Sequence, residues 1–177
     1  NSTVTIEAEN CTLEGTGVED DYNYLLGSAK KPEVKENAYA SDGKVVEGFR
    51  GGQDGEVTFQ VNASSAGIYK LSMFYSNNEP APVMKKQDGS NYVHPYNTDL
   101  VERYAQIQVN DGTPQTVYFR NTLCWDVFKN VIMDVELQEG LNTITITNDN
   151  SYKFSSVQDD FTPRFDKFVM ASAVQGN

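Results

Sequence analysis

The stretch Leu123–Asn148, LCWDVFKNVIMDVELQEGLNTITITN, indicates the fold class of this chain. Apolar and polar residues alternate over 131–137 and again over 142–147, which is the period-2 pattern of half-buried β-strands. Gln138-Glu139-Gly140 lies between the two runs and provides a glycine for a turn that needs positive φ. We therefore predict a β-hairpin whose inward-facing side chains are Val131, Met133, Val135, Leu137, Asn142, Ile144 and Ile146.

The same alternation recurs along the chain, and no run shows sustained helical spacing. Segments rich in Gly, Asn, Asp, Tyr or Pro separate the alternating runs and predict long loops at 14–41, 77–102 and 149–163. A chain of 177 residues with this pattern predicts one all-β domain, residues 1–177, folded as a β-sandwich. The predicted strands outside the hairpin are 4–8, 44–49, 57–61, 68–76, 104–109, 115–119 and 165–173.

The charge of the chain argues against two classes of partner, and its apolar runs and cysteines limit the class of protein. The chain has 25 acidic and 14 basic residues, a formal net charge of −11. Nucleic acids and anionic membrane surfaces are normally bound by basic patches, so neither is expected as a partner. No apolar run approaches the roughly 18 residues of a membrane helix, and no signal-peptide pattern is present. Cys11 and Cys124 are too few for a disulfide framework; their surroundings favour free thiols but leave pairing open.

Enzyme signatures are missing from the sequence. The single histidine, His94, lies in a proline-flanked segment, and there is no nucleophile elbow, zinc motif, phosphate loop or dinucleotide fingerprint. Acidic residues are numerous enough to form carboxylate pairs, but no pair is marked as catalytic. The residues therefore predict a protein that is not an enzyme.

Two glutamates near the start point to a possible cation site. Glu7 and Glu9 are two apart in a predicted strand, so their carboxylates should face the same side and repel each other. Calcium accepts six to eight oxygen ligands and would offset this repulsion. Two solvated glutamates explain the same spacing, and the spacing alone favours that simpler interpretation.

Aromatic residues are concentrated in the predicted loops, where they either pack the loops or form a recognition surface. For the tyrosines, loop packing is the simpler interpretation. For Trp125, the only tryptophan, a binding role is favoured because it precedes the predicted hairpin in a segment without strand alternation. The residues concerned are Tyr22, Tyr24, Tyr39, Tyr92, Tyr96, Trp125 and Phe154.

An ordered set of short motifs resembles carbohydrate-binding modules of families 6 and 35. Family 35 is closer, because of the stretch ASDGKVVEG over 40–48 and the strand end Tyr75-Ser76-Asn77. The other motifs are Glu7-Ala8-Glu9, GIYKL over 67–71, VNDG over 109–112, Thr122 with Trp125, LQEGLNTI over 137–144, and PRFDKF over 163–168.

The resemblance implies a jelly-roll-like β-sandwich of two antiparallel sheets with no catalytic activity. It implies a secreted, extracellular module, expected to be monomeric, carried in the same polypeptide as a bacterial glycoside hydrolase. The partner would be an oligosaccharide or polysaccharide of the plant cell-wall type. It also implies a structural calcium held by the side chains of Glu7, Glu9 and Asp166 and by backbone carbonyls around Ser41.

The implied sugar site lies in the loops at one end of the sandwich. Trp125 would stack on the sugar, and Phe128 matches a second aromatic position. Arg164 stands where the family often has Asn, and the 79–102 insertion is longer than usual, so the glycan stays open among xylan, mannan, galactose-containing and uronate-containing types. A protein-interaction or adhesion module is the alternative, and a polysaccharide hydrolase or lyase is the third possibility. The carbohydrate-binding residues predicted in this way are Trp125, Tyr39, Tyr22, Arg103, Arg164 and Asn77.

Overall fold

The computed structural model describes residues 3–15, 32–47, 55–78, 84–85, 91–92, 103–149 and 162–172. These ranges contain thirteen strands and one short 3-10 helix, Ala8–Asn10, so the predicted all-β class is confirmed. No helix in these ranges is long and apolar enough to cross a membrane. The strands are β1 Thr3–Glu7, β2 Thr12–Glu14, β3 Glu33–Glu36, β4 Lys44–Glu47, β5 Glu56–Ala63, β6 Gly67–Ser76, β7 Met84–Lys85, β8 Asn91–Tyr92, β9 Arg103–Val109, β10 Gln115–Phe119, β11 Lys129–Leu137, β12 Gly140–Thr147 and β13 Arg164–Ser172.

The strands form two antiparallel sheets that face each other as a sandwich, together with a small β7–β8 pair. The first sheet has the order β11-β6-β13-β4-β3, and β1 also pairs with β13. The second sheet has the order β10-β9-β12-β5-β2. The predicted jelly-roll-like β-sandwich is therefore confirmed.

The predicted hairpin over Leu123–Asn148 is wrong, although its two strands and their inward faces are right. β11 pairs with β6 in the first sheet, whereas β12 pairs with β5 and β9 in the second sheet. The turn at Gln138–Gly140 therefore carries the chain from one sheet to the other. The alternation of side chains determines which face of a strand is buried, but it does not determine which strand is its neighbour.

Aromatic side chains from both sheets meet in the core. The rings of Phe59 and Phe168 stack with centroids 4.9 Å apart. The ring of Phe119 meets Tyr75 edge-on at 5.0 Å and Phe165 at 5.4 Å. Because these contacts join the second sheet (Phe59 and Phe119) to the first, burial of apolar surface holds the two sheets together.

Two sequence predictions need correction near the start of the chain. The predicted strand 4–8 is β1, Thr3–Glu7, and it gives way at Ala8 to the 3-10 helix. The predicted loop 14–41 contains β3, a strand that the sequence analysis missed. β3 consists of Glu33, Val34, Lys35 and Glu36 and is mostly exposed at the edge of its sheet, so it shows no apolar alternation.

Many strand ends converge at one end of the sandwich, which we call the Trp125 end. The strand registers place the ends of β4, β6, β10 and β12 beside the starts of β13, β11, β9 and β5. The strands that flank residues 16–31, 48–54 and 150–161 also begin or end here. This end therefore gathers side chains from distant parts of the chain.

Candidate functional site

The segment 120–128 joins β10 to β11, and two residues anchor it to the end of β6. The backbone N–H of Thr122 donates to the carbonyl of Asn77 at 2.7 Å. In return, the N–H of Asn77 donates to the Thr122 hydroxyl oxygen at 3.1 Å, and that hydroxyl donates to the carbonyl of Cys124 at 2.9 Å. The segment is therefore fixed at the residues that immediately precede Trp125 in the sequence.

Local backbone geometry explains why the segment is not a strand. Leu123 has φ +68°, a left-handed conformation that is uncommon for leucine. Its N–H donates to the side-chain oxygen of Asn121 at 2.7 Å, and the N–H of Val127 donates to the carbonyl of Cys124 at 3.2 Å. These bonds close two consecutive turns between β10 and β11. The predicted placement of Trp125 outside a strand is confirmed.

Two arginines lie over the Trp125 ring. The guanidinium carbon of Arg164, the first residue of β13, is 4.2 Å from the ring centroid, and that of Arg103, the first residue of β9, is 5.0 Å from it. Such cation–π contacts are favourable and orient the ring. Because each guanidinium lies over the ring, at most one face of Trp125 is open to a ligand. The indole is half-buried, which suits a ring held in place with one accessible side.

Both arginines are held in place by further contacts. Arg103 is buried and donates from Nη1 to the carbonyl of Thr162 at 3.0 Å. Arg164 forms an ion pair with Glu47 at the end of β4. The site thus combines a flat apolar ring with two fixed cationic groups, on a protein whose net charge is −11. Such a combination can bind the C–H face of a sugar and an anionic or hydroxyl group beside it.

The 37–43 turn joins β3 to β4 at the end of this strand pair away from Glu33 and Glu47, and it contacts the Trp125 segment through Asn37. The N–H of Asn37 donates to the carbonyl of Gly43 at 2.9 Å and closes this turn. Tyr39, at its tip, is 72% exposed. The Asn37 side chain accepts from the N–H of Tyr39 at 2.9 Å and donates to the carboxylate of Asp126 at 3.1 Å. The turn is thereby tied to the residue that follows Trp125.

The same turn contacts a group of carboxylates. The N–H of Ser41 donates to Asp166 Oδ1 at 2.9 Å, and its hydroxyl donates to Glu7 Oε1 at 2.8 Å. The other oxygen of Glu7 and both oxygens of Glu9 are buried without a hydrogen-bond partner. Buried carboxylate oxygens without partners are costly, which makes this group a candidate cation site.

A β-bulge turns Asp166 towards this group. Phe165 lies opposite Tyr75 and Lys167 lies opposite Phe74, so Asp166 is an extra residue in β13. The two core phenylalanines of this strand, Phe165 and Phe168, are consequently three residues apart rather than two. This break in the period-2 spacing is a signal for the bulge that the sequence analysis overlooked.

The carboxylates perturb one another. Burial raises the pKa of Glu9, and the nearby carboxylates of Glu7 and Asp42 raise it further. Burial also raises the pKa of Asp166, with a contribution from Glu7, although the Ser41 N–H opposes this shift. Burial and the charge of Glu9 raise the pKa of the Cys11 thiol to about 12, so this free thiol stays protonated. Burial is the largest cause of each shift, and a neighbouring carboxylate adds to it in each case.

The carboxylate oxygens suit calcium, although these side chains alone do not complete a ligand set. Hard carboxylate oxygens without partners are the ligands that calcium prefers. In the described ranges, however, no three acidic, histidine or cysteine side chains are grouped so as to hold an ion by themselves. Backbone carbonyls and water would have to supply the remaining ligands. Glu9 also lies in the 3-10 helix rather than in β1, so the strand argument used to pair it with Glu7 is wrong.

The structure brings together most of the residues predicted for the sugar site. Trp125, Arg103 and Arg164 are in contact, and Tyr39 lies on the turn bonded to Asp126. Asn77 is fully buried, and its side-chain amide donates to the carbonyl of Phe119 at 3.1 Å, so it supports the site and offers no surface to a ligand. Tyr22, like Tyr24, lies outside the described residues, and Phe128 is half-buried beside β11.

Sequence reasoning missed four residues that organise this end of the molecule. Asn37 and Asp126 were not singled out, and Glu47 and Thr122 were noted only as parts of motifs. Asn37 and Asp126 are 89 positions apart, and no local pattern links them. The stretch Asn37–Gly43, NAYASDG, does carry turn-forming residues, which could have located the turn inside the predicted loop.

Comparison with known proteins gives a consistent result at the level of structure. No protein-family model and no curated protein sequence matches the chain. A family 35 carbohydrate-binding module from Clostridium thermocellum is 26% identical, with a TM-score of 0.65 over 96% of this chain and 98% of that one. The predicted resemblance to family 35 carbohydrate-binding modules is confirmed.

Two larger enzymes contain a similar region. An exo-β-1,3-galactanase from Phanerochaete chrysosporium, solved with galactose, is 19% identical, with a TM-score of 0.63 over 96% of this chain. A GH26-CBM35 β-(1,4)-mannanase from Podospora anserina is 22% identical, with a TM-score of 0.59 over 99% of this chain. This chain spans only 29% and 28% of those two proteins, so the likeness concerns the shared fold and not their catalytic activity.

Proposed function

We propose that this chain is a non-catalytic carbohydrate-binding module that holds a polysaccharide-active enzyme, in the same polypeptide, on its glycan. The observation that carries the proposal is Trp125, which is presented outside any strand with Arg103 and Arg164 over its ring. The fold shared with family 35 modules supports it, as does the occurrence of similar regions within a galactanase and a mannanase. We further propose that the protein acts outside the cell.

Recognition would depend on stacking and on directed polar groups. Trp125 would cover the C–H face of one sugar ring with a face left free by the two arginines, and Tyr39 would add a second exposed ring on the neighbouring turn. The guanidinium groups favour a sugar that bears a carboxylate, within a glycan class that otherwise includes xylan, mannan and galactose-containing polymers. Few contacts of this kind predict affinities of about micromolar to millimolar.

The proposal includes a structural calcium. Glu7, Glu9 and Asp166 would hold it with their carboxylates, and backbone carbonyls around Ser41 would complete the ligand set. The ion would supply positive charge that relieves the repulsion among these carboxylates. Glu7 ends β1, Ser41 lies in the 37–43 turn and Asp166 lies in the β13 bulge, so these residues would join three separate elements.

Affinity gels that contain soluble plant polysaccharides test the proposed function. The unmodified protein should be retarded by at least one polymer, and Trp125→Ala should lose most of that retardation. Tyr118→Ala is a matched control because it removes a half-exposed aromatic from β10. Unchanged retardation of the Trp125 variant would place the site elsewhere. Absence of retardation across all polymers would instead favour a protein-interaction module, and release of reducing ends by the purified chain would favour an enzyme.

A further inference from the structure

We infer that Asn37 and Asp126 are positioning residues that couple the calcium site to Trp125. Their hydrogen bond links the 37–43 turn to the Trp125 segment, and the turn itself is attached to the carboxylate group through Ser41. Binding of calcium would therefore change the environment of Trp125 at the sugar site. This inference rests on the calcium site of the proposed function.

The chain of contacts is short and continuous. From Asp166 and Glu7, hydrogen bonds of 2.9 and 2.8 Å reach Ser41. The turn that contains Ser41 is closed by the N–H of Asn37 on the carbonyl of Gly43 at 2.9 Å. The Asn37 side chain then donates to Asp126 at 3.1 Å, one residue after Trp125.

Ser41 is the point at which the ion would act. It donates to one oxygen of Glu7 and one of Asp166, the two carboxylates that it shares with the proposed ion. A cation that draws on the same oxygens changes how strongly they accept from Ser41. The position of the turn would therefore depend on whether an ion occupies these oxygens.

A second connection between the carboxylate group and Trp125 runs along β13. Arg164 and Asp166 are both in β13, and Arg164 contacts Trp125. However, β13 pairs with β6 on one side and with β1 and β4 on the other, so its backbone is fixed by ladders on both sides. The 37–43 turn lies outside the β3–β4 ladder, which ends at the Glu36–Lys44 pair. Its contacts with the carboxylate group and with Asp126 are individual hydrogen bonds that involve side chains.

Two substitutions of Asp126 isolate the hydrogen bond. Asp126→Ala removes the acceptor for Asn37, whereas Asp126→Asn keeps an oxygen acceptor of the same shape. Both remove the same negative charge, so a difference between them reports the hydrogen bond and not the charge. Asp126 is exposed, so both variants should fold.

The only tryptophan in the chain is Trp125, so its emission reports this site alone when excitation avoids the tyrosines. Each protein is treated with chelator and titrated with calcium chloride, and both Trp125 emission and the melting temperature are followed. For the unmodified protein and Asp126→Asn, we expect the melting temperature to rise and the emission to change with the same midpoint. For Asp126→Ala, we expect the same rise in melting temperature, with an emission change about fivefold smaller.

Three results would overturn the inference. The first is an emission response in Asp126→Ala as large as that of the unmodified protein. The second is a rise in melting temperature of the unmodified protein without any emission change. The third is a protein that responds to calcium in neither signal, which also removes the calcium site; the affinity gels, run without calcium, then show separately whether glycan binding stands.

Discussion

Replacement of Thr122 by valine should weaken both the fold and the proposed sugar site. The hydroxyl of Thr122, which is 3% exposed, accepts from the N–H of Asn77 and donates to the carbonyl of Cys124. Valine has nearly the same shape but can do neither. Because Trp125 lies three residues further on, loosening of this anchor should reach the indole.

The magnitude follows from the groups that lose partners. Two hydrogen bonds at about 1 kcal/mol each are lost, and the buried N–H of Asn77 is left without this acceptor, at a further cost of about 1 kcal/mol. Burial of an additional methyl group offsets about 0.8 kcal/mol of this. We therefore expect the free energy of unfolding to fall by about 2 kcal/mol, which for a chain of this size lowers the melting temperature by about 4–8 °C.

Urea unfolding followed by circular dichroism measures the stability, and affinity gels measure glycan binding. Thr145→Val is the matched control, since Thr145 lies half-buried on the outer face of β12, away from the Trp125 segment. We expect that control to change the unfolding free energy by less than about 0.5 kcal/mol and to retain glycan binding. Equal stability losses in the two variants would refute the assignment of Thr122 as the anchor of the Trp125 segment.

Three further predictions concern the carboxylates, the inter-sheet turn and the glycan. The folded-state pKa values of Glu9 and Asp166 are raised above their ordinary 4.5 and 3.8, so without calcium their contribution to stability is full below those values and is lost as pH rises through the raised ones. Calcium needs the ionised carboxylates, so the rise in melting temperature on adding calcium should be larger at neutral pH than near pH 4; an equal rise at both would contradict the site. Asn142→Ala removes a buried amide that donates to Gln138 and Gly140 and accepts from Gln138 and Asn110, and it should lower the unfolding free energy in urea by about 2–4 kcal/mol. Among uronate polymers, methyl esterification should weaken binding in affinity gels by about tenfold, or about 1.4 kcal/mol, whereas equal binding of both forms would argue against recognition of a carboxylate by Arg103 and Arg164.

The sequence showed which face of a strand is buried, but it did not show which strands pair with one another. Alternation assigned the inward residues of β11 and β12 correctly, because burial of one face is a local property of a strand. It could not show that these strands belong to opposite sheets, since that depends on β5, β6 and β9. β3 was missed for the converse reason: its residues are charged and exposed, so burial left no pattern in them.

The candidate site was predicted as separate residues rather than as an arrangement. Motif resemblance selected Trp125, Arg103 and Arg164, but only the structure places both guanidinium groups over the same ring. It also selected Asn77, whose full burial shows a supporting position that a motif cannot distinguish from a contact position. The bond between Asn37 and Asp126 depends on how two turns meet in space, which no spacing in the sequence encodes.

The pairing of the first strand with the last fixes where the start of β1 and the end of β13 lie. Thr3 lies opposite Ala171, so these two strand termini are at the same end of the sandwich. Along β13, Ala171 is separated from Arg164 by a distance of roughly 20–25 Å at the usual rise per residue of an extended strand. The start of β1 and the end of β13 therefore lie away from the Arg164 end of β13, the end that contacts Trp125. Neither of these two strand termini is beside the proposed sugar site, so the pairing of β1 with β13 leaves the Trp125 end clear of both.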